Sequence, residues 1–197
     1  MKNIIKNPRP SVALLEAELV RMDLRQEIRL RRQCLLSLLA ALLCAFALAA
    51  SRFPVLEVHG SSMYPTLHNG DILLCIKTKD VDYGDITLFY HNNKILVKRL
   101  IGTGGDSIDL HPDGQVIRNG TTLQEDYIAS RAQGTCDIAL PCRVPAGSFF
   151  FMGDHRETSM DSRSTTIGCV SQDKILGKAI LRIWPLHRFG QLNHNHA

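Results

Sequence analysis

The longest uninterrupted apolar stretch of the chain is CLLSLLAALLCAFALAA, residues 34–50, uncharged and set between Arg31 and Arg32 on one side and Arg52 on the other. Its 17 residues are about the shortest helix that crosses the hydrocarbon of a bilayer, and Phe53, Val55 and Leu56 can lengthen it. Ahead of it, in SVALLEAELVRMDLRQEIRLRRQ, apolar residues recur three and four apart, at Leu15, Leu19 and Met22 and at Val20, Leu24 and Ile28. That spacing predicts a helix starting near Pro10 and Ser11, with Glu27 and Arg31 paired one turn apart. A cleaved secretory signal is the other reading of the apolar stretch, because Ala47, Leu48 and Ala49 form a small-x-small site. The charged segment ahead of it is too long for the head of a typical signal, which favours a retained span.

Past residue 52 the period changes. Short runs rich in Ile, Val, Leu and Phe, punctuated by Gly, Asp and Asn, predict strands: DILLCIK (71–77), DITLFY (85–90), KILVKRLIG (94–102), GSFFFMG (147–153) and KILGKAILRIW (174–184). His91-Asn92-Asn93 separates two of these runs, and Asn119-Gly120 suits the tight turn of a hairpin. Phe149, Phe150 and Phe151 read as core residues or, with Trp184, as apolar side chains that could reach a membrane interface. The length of 197 residues allows one domain with a real core, with room for a small insertion.

Charge sharpens this picture. Residues 1–33 carry eight Lys or Arg against four Asp or Glu, and the remainder carries fifteen of each sign. All of the basic excess therefore precedes the apolar stretch. This argues for an anchor whose N-terminus stays cytoplasmic and against a nucleic-acid-binding domain. Of the six cysteines, Cys34 and Cys44 lie in the span, Cys75 lies in a predicted strand and Cys169 stands alone, while Cys136 and Cys142 flank a short loop with Pro141. In an oxidising exterior compartment Cys136 and Cys142 are a candidate disulfide. No Cys or His spacing matches a zinc site, so neither a metal nor another cofactor is expected.

Candidate chemistry begins with GSSMYPTL, residues 60–67, and its two adjacent serines. A serine becomes a nucleophile only when a neighbouring group takes its proton. The chain has no G-x-S-x-G elbow and no S-x-x-K. In KILVKRLIG, however, strand alternation places Lys98 on the face shared by Leu96 and Leu100. Desolvation there disfavours the ammonium and lowers the pKa toward the range a general base needs. The plain alternative is a lysine that snorkels from an edge strand to water.

A third segment, GDHRETSMDSR at 153–163, changes the weighting. Together with GSSMYPTL, with VKRLIGTGGD and with YGDITLF, it resembles the bacterial type I signal peptidases, membrane-anchored Ser-Lys proteases, over the anchor and nearly all of residues 55–190. By this resemblance the nucleophile is Ser62, the serine directly before Met63, and Ser61 is a neighbour. The base is Lys98, and Ser159 matches the serine that hydrogen-bonds the lysine. Asp154, Arg99, Asp161 and Arg163 look like the charged scaffold of the site, and Met63 and Gly60 line the substrate. Two departures stand out. His155 occupies the usual place of an Asn, and Gly60 supplies no hydroxyl, so the oxyanion would rely on backbone N–H groups, chiefly that of Ser62.

The resemblance implies a serine endopeptidase that removes N-terminal signal peptides from exported preproteins, cutting after A-x-A sites. It implies a bacterial cell-membrane protein with one span, a cytoplasmic N-terminus and an extracytoplasmic catalytic domain. Its partners would be secretory preproteins and membrane lipid, with no nucleic acid, and the protein would be a monomer. The expected fold is mainly β, an antiparallel sheet of the signal peptidase and SOS-repressor protease type, with a small β insertion after one N-terminal transmembrane helix. The expected organisation is a basic, partly helical tail (1–33), the span (34–51), the catalytic domain (52–190, insertion about 104–148) and a C-terminal tail (191–197). Two alternatives remain at this level: another membrane-tethered Ser-Lys protease, and a tethered β-domain that has lost activity. Self-cleavage at Ala47–Ala49 would follow from the same specificity.

Overall fold

Helix and strand segregate along the chain at the point where the apolar period changes. The computed structural model describes residues 11–192, and the chain divides after Ala50 into two units. The first is occupied by one helix, α1 (Val12–Arg52), which runs unbroken through the charged segment and the apolar stretch. No Pro or Gly falls within it, so nothing interrupts the ladder of backbone hydrogen bonds. Pro54 follows its end and prevents continuation. Its 41 residues span about 62 Å, twice the thickness of a bilayer's hydrocarbon. Among the described residues it is the one helix long and apolar enough to cross a membrane, with a mean hydropathy of 2.4 over its most apolar window. Glu27 and Arg31 lie 3.8 Å apart on its exposed surface, a pair worth a few tenths of a kcal/mol.

The second unit is built on an antiparallel sheet in the order β1-β2-β11-β3-β4-β9-β10, with β12 added to β11. The strands are β1 (Val55–Glu57), β2 (Ile72–Ile76), β3 (Ile86–His91), β4 (Lys94–Thr103), β9 (Ser148–Met152), β10 (Val170–Ser171), β11 (Ile175–Trp184) and β12 (Gly190–Gln191). All five strands predicted from the apolar runs form. A smaller sheet, ordered β7-β6-β5-β8, comes from β5 (Ser107–Leu110), β6 (Val116–Arg118), β7 (Thr121–Thr122) and β8 (Cys142–Arg143). Two left-handed pairs make the tight turns. Asn92 (φ 44°) and Asn93 (φ 61°) join β3 to β4, and Asn119 (φ 53°) and Gly120 (φ 79°) join β6 to β7. Positive φ at both central positions matches the right-handed twist of the flanking strands, and Asn and Gly tolerate it best.

Two interruptions of strand pairing position the site. Strand β9 pairs with β4 only from Arg99 to Thr103, so residues 94–98 have no partner strand on that side. Strand β1 pairs only with β2, which leaves its other edge open.

Three apolar clusters hold the unit together. One joins Leu73, Cys75, Leu88 and Ala179 to Met63 and Leu67; a second joins Ile101, Phe150 and Met152 of the large sheet to Ile108 and Val116 of the small one and to Leu123 and Val144 just beyond its strands. The third holds Phe89, Leu100, Phe151, Val170 and Ile175, with the Phe89 and Phe151 rings stacked at 4.7 Å. Phe150 and Phe151 are fully buried and Phe149 packs against the third cluster, so this run belongs to the core and does not reach an interface. The cysteines differ from expectation. All are free, and the bridge between Cys136 and Cys142 is not formed. Pairing of Cys142 with Ile108 across β8 and β5 turns it into the second cluster, where it meets Cys169.

The Asn92-Asn93 turn supplies a direct test. Asn93→Val places a β-branched residue at positive φ and should cost about 1 kcal/mol, and Asn93→Gly should be neutral or slightly stabilising. Urea unfolding followed by the tryptophan signal of the β-rich unit reads both.

Candidate active site

The turn after β1 is fixed from both ends. Val58 N–H donates to Asp71 O at 2.8 Å, and Gly60 N–H donates to the Asn69 side-chain oxygen at 2.8 Å. Gly60 has φ +91°, a conformation that side chains rarely adopt, so a residue supplying a hydroxyl there would be strained. Beyond it Met63 and Leu67 are driven into the first apolar cluster, and Leu67 N–H closes a turn onto Met63 O at 2.8 Å. These anchors separate the two serines. Ser61 is left exposed, while Ser62 is half-buried against β4.

Lys98 is the partner of Ser62. Its Nζ donates to Ser62 Oγ at 2.6 Å, and the residue is only 4% exposed. Burial pulls the ammonium down from 10.5 to about 8, against the Asp161 and Asp154 carboxylates, which favour the charge, and with the Arg163 guanidinium, which opposes it. The snorkelling alternative therefore fails: the amine turns inward, where the sheet edge left by β9 meets the Ser62 turn.

The neighbouring carboxylates are each engaged by an arginine. Arg99, next to Lys98 and on the opposite side of the strand, donates Nε to Asp154 Oδ1 at 2.9 Å and Nη2 to Oδ2 at 2.7 Å. Its remaining nitrogen reaches Gly84 O at 2.8 Å, and Thr66 also donates to Asp154. Arg163 makes the same fork on Asp161, at 2.8 Å for both oxygens, and bonds Gln133 O at 2.7 Å. Burial alone would raise the Asp161 pKa, but the hydrogen bonds and charge of Arg163, with help from Gly153 N–H and Ser159, hold it below the usual range. All four charged side chains are at most 1% exposed. They are buried ion pairs, not surface ones, and removing one partner would leave an uncompensated charge at a cost of about 3–5 kcal/mol.

Gly153 closes the arrangement. Its N–H donates to Asp161 Oδ2 at 2.9 Å, and a Cβ at this position would stand 2.1 Å from Ser159 Oγ and 2.4 Å from Ser62 O. Ser159 and the Ser62 backbone thus flank one position that only glycine can fill. The Ser159 hydroxyl is buried beside Asp161, and the hydrogen bond from Lys98 implied by the resemblance is not formed here. His155 N–H donates to Ser62 O at 3.0 Å, a contact that no particular side chain is needed to make, while its ring meets Thr158 Oγ1 at 2.9 Å. A cleft of about 110 Å³ opens beside the pair, lined by residues 57–59, Ser62, Met63 and residues 95–98. A larger cavity of about 340 Å³ behind Arg99 and Tyr127 excludes both Ser62 and Lys98. Among the described residues no three His, Cys, Asp or Glu side chains converge as metal ligands.

The sequence reading missed a third buried pair, Glu125–Arg156, and the Tyr127 ring that lies 3.9 Å from the Arg99 guanidinium. Arg156 stood in view inside GDHRETSMDSR. Glu125 lies 31 residues earlier in a segment without periodicity, so nothing local marked it.

A family model described as "Signal peptidase, peptidase S26" matches residues 31–184. The chain belongs to the signal peptidase family. Signal peptidase I of Bacillus amyloliquefaciens is 35% identical over 147 residues, covering 68% of this chain and 75% of that protein. Signal peptidase I T of Bacillus subtilis is 33% identical over 168 residues, covering 79% and 86%. A probable signal peptidase I-1 of Synechocystis is 35% identical over 173 residues, covering 80% and 83%. The family is membrane-anchored, and in this signal peptidase an apolar helix precedes the β-rich unit.

Two outcomes follow from the site. The Lys98 pKa is lower in the folded than in the unfolded chain, so the folded state is penalised below about pH 8 and the penalty fades as pH rises to 10.5. Lys98→Met should therefore be the more stable protein at pH 7, by about 3 kcal/mol, with its advantage shrinking by pH 10. Denaturant titration at the two pH values measures it. Gly153→Ala should displace Ser159 or Ser62 and lower activity by about 100-fold while the protein stays folded by circular dichroism.

Proposed function

We propose that Ser62 is the nucleophile and Lys98 the general base of this signal peptidase, a serine endopeptidase that removes signal peptides. The observation that carries the reading is the 2.6 Å contact between a buried amine and the Ser62 hydroxyl. Neutral Lys98 takes the hydroxyl proton as Ser62 attacks the scissile carbonyl, and an acyl-enzyme forms as the proton passes to the leaving amine. Water, activated by the same amine, then releases the acyl group. Ser62 N–H is the proposed oxyanion donor, since Gly60 offers no side chain. Ser159, Asp154, Arg99, Asp161 and Arg163 would hold the lysine in place without touching substrate.

Substrate would enter as an extended strand between the open edge of β1 and residues 94–98 of β4, both of which lack a strand partner on that side. The cleft is small and walled by Val58, Met63, Leu96 and Val97, which favours alanine-sized side chains next to the scissile bond and hence A-x-A sites. Preproteins with signal peptides are the substrates. The finer assignments belong to this proposal: a cytoplasmic basic tail at residues 1–33, a span at 34–51, an extracytoplasmic catalytic domain at 52–190 with an insertion near 104–148, and a monomer. Trp184, Leu186 and Phe189 are exposed and are the proposed points of contact with lipid.

The test incubates the detergent-solubilised chain with a preprotein bearing an A-x-A site, beside Ser62→Ala and Lys98→Ala. Cleavage after the second alanine by wild type alone is expected, and equal behaviour of all three would sink the dyad. Because the base must be neutral, kcat/KM should climb about tenfold per pH unit below pH 8 and level off above it. A maximum near pH 5 would contradict the role of Lys98.

A further inference from the structure

The buried network extends past the two arginine–aspartate pairs to a carboxylate in the loop that follows β7. Glu125 lies two residues after Leu123, which is packed in the cluster that joins the sheets. Arg156 Nη1 donates to Glu125 Oε2 at 2.8 Å and Nη2 to Oε1, and the Tyr127 hydroxyl donates to Oε1 at 2.8 Å. All three side chains are buried. The third nitrogen of Arg156, Nε, donates to Gly153 O at 3.1 Å. Gly153 in turn holds Asp161 by its N–H and stands against Ser159 and the Ser62 carbonyl. Tyr127 also supports Arg99, the residue beside Lys98. Two routes therefore lead from one carboxylate to the two members of the dyad, and neither Glu125 nor Tyr127 makes a hydrogen bond to Ser62 or Lys98.

We infer that Glu125 is a positioning residue for the peptidase reaction: through Arg156 it locks the Gly153 turn against Ser62, and so keeps Lys98 dry and aligned with the Ser62 hydroxyl. The inference rests on the dyad assigned above. A buried ion pair is a weak source of stability, because desolvating both charges consumes most of their attraction. Its geometry is another matter. A planar guanidinium can grip a carboxylate with two nitrogens and offer the third in a fixed direction, and here that direction is the Gly153 carbonyl. An apolar pair would fill the same space and leave that carbonyl without its donor. The charged groups that face Lys98 are Asp161, Asp154 and Arg163, with Arg99 adjacent in the strand. Glu125 and Arg156 cancel one another, so their effect on Lys98 runs through the position of the turn and not through a net field.

That distinction fixes the variants. Glu125→Gln alone would leave the Arg156 charge bare, so the charge-neutral double variant Glu125→Gln with Arg156→Gln is compared with Tyr127→Phe, which removes one hydroxyl and no charge. Ile108→Val, in the apolar core of the small sheet, reports what loss of stability alone does. On the full chain in detergent, the pH midpoint for acylation of Lys98 by an amine-reactive ester is mapped by mass spectrometry, and kcat and KM are measured on an A-x-A preprotein.

In the double variant the midpoint should rise from about 8 toward 10.5. Its kcat should fall roughly 10- to 100-fold with KM nearly unchanged, since loss of alignment acts on the chemical step. Tyr127→Phe should move both in the same direction by less, and it decides the matter where the double variant does not fold. A Lys98 midpoint and a kcat that stay at the wild-type values in Tyr127→Phe, or that change no more than in Ile108→Val at equal loss of Tm, would overturn the inference. The acylation arm needs no cleavage, so activity retained by Lys98→Ala would strike the dyad alone and leave the Lys98 midpoint to judge Glu125.

Discussion

The constraint on which the site depends is that a lysine must be buried without being handed to a carboxylate. An amine in contact with a free aspartate would gain charge stabilisation and stay protonated at any working pH. Here Asp161 and Asp154 are near enough to favour the ammonium, yet each is gripped by its own arginine, and burial outweighs both. Among the described residues, Lys98 Nζ gives its hydrogen bond to the Ser62 hydroxyl. The arginines thus serve two ends. They hold the loop after β9 in place, and they neutralise the fields that would otherwise keep Lys98 protonated.

That arrangement explains the density of buried charge around so small a cleft. Three arginines, at positions 99, 156 and 163, are among the largest fully buried side chains of the protein. Each reaches a backbone carbonyl as well as a carboxylate: Gly84 O, Gly153 O and Gln133 O. Each therefore ties two stretches of chain together at fixed geometry, which apolar packing does not do. Rigidity near the dyad comes from these forks, while the three apolar clusters carry the burial that stabilises the unit.

How much of this could be read from the sequence depends on whether the signal was local. The five longer strands were legible because each is a run of Ile, Val, Leu and Phe between turn residues, and both hairpin turns were legible because Asn and Gly are the residues that accept positive φ. The short strands β1, β8, β10 and β12 were not, since two or three residues carry no period and pair only because the neighbouring strand is there. Ser62 and Lys98 were visible through the motif that resembles a known family. Glu125 was invisible: its partner is far along the chain and a lone glutamate has no pattern. Cys136 and Cys142 misled because proximity in sequence was taken for proximity in space, whereas pairing of β8 with β5 turns Cys142 toward Cys169.

The same open edges that are proposed to admit a substrate would be a liability elsewhere. A strand with free N–H and C=O groups invites pairing with any extended chain, and proteins usually cover, charge or shorten such edges. In this protein β1 is only three residues long, and β4 is exposed on the β9 side over just the residues that lead to Lys98. Shortening keeps the unguarded backbone to what a single bound peptide can occupy. The exposed end of β4 also begins with Lys94, after the polar Asn92-Asn93 turn, which discourages another sheet from continuing past the site. In the proposed binding mode, an extended segment that pairs there would have its backbone carried toward the Ser62 hydroxyl by the direction of β4, so that recognition and alignment would share one strand.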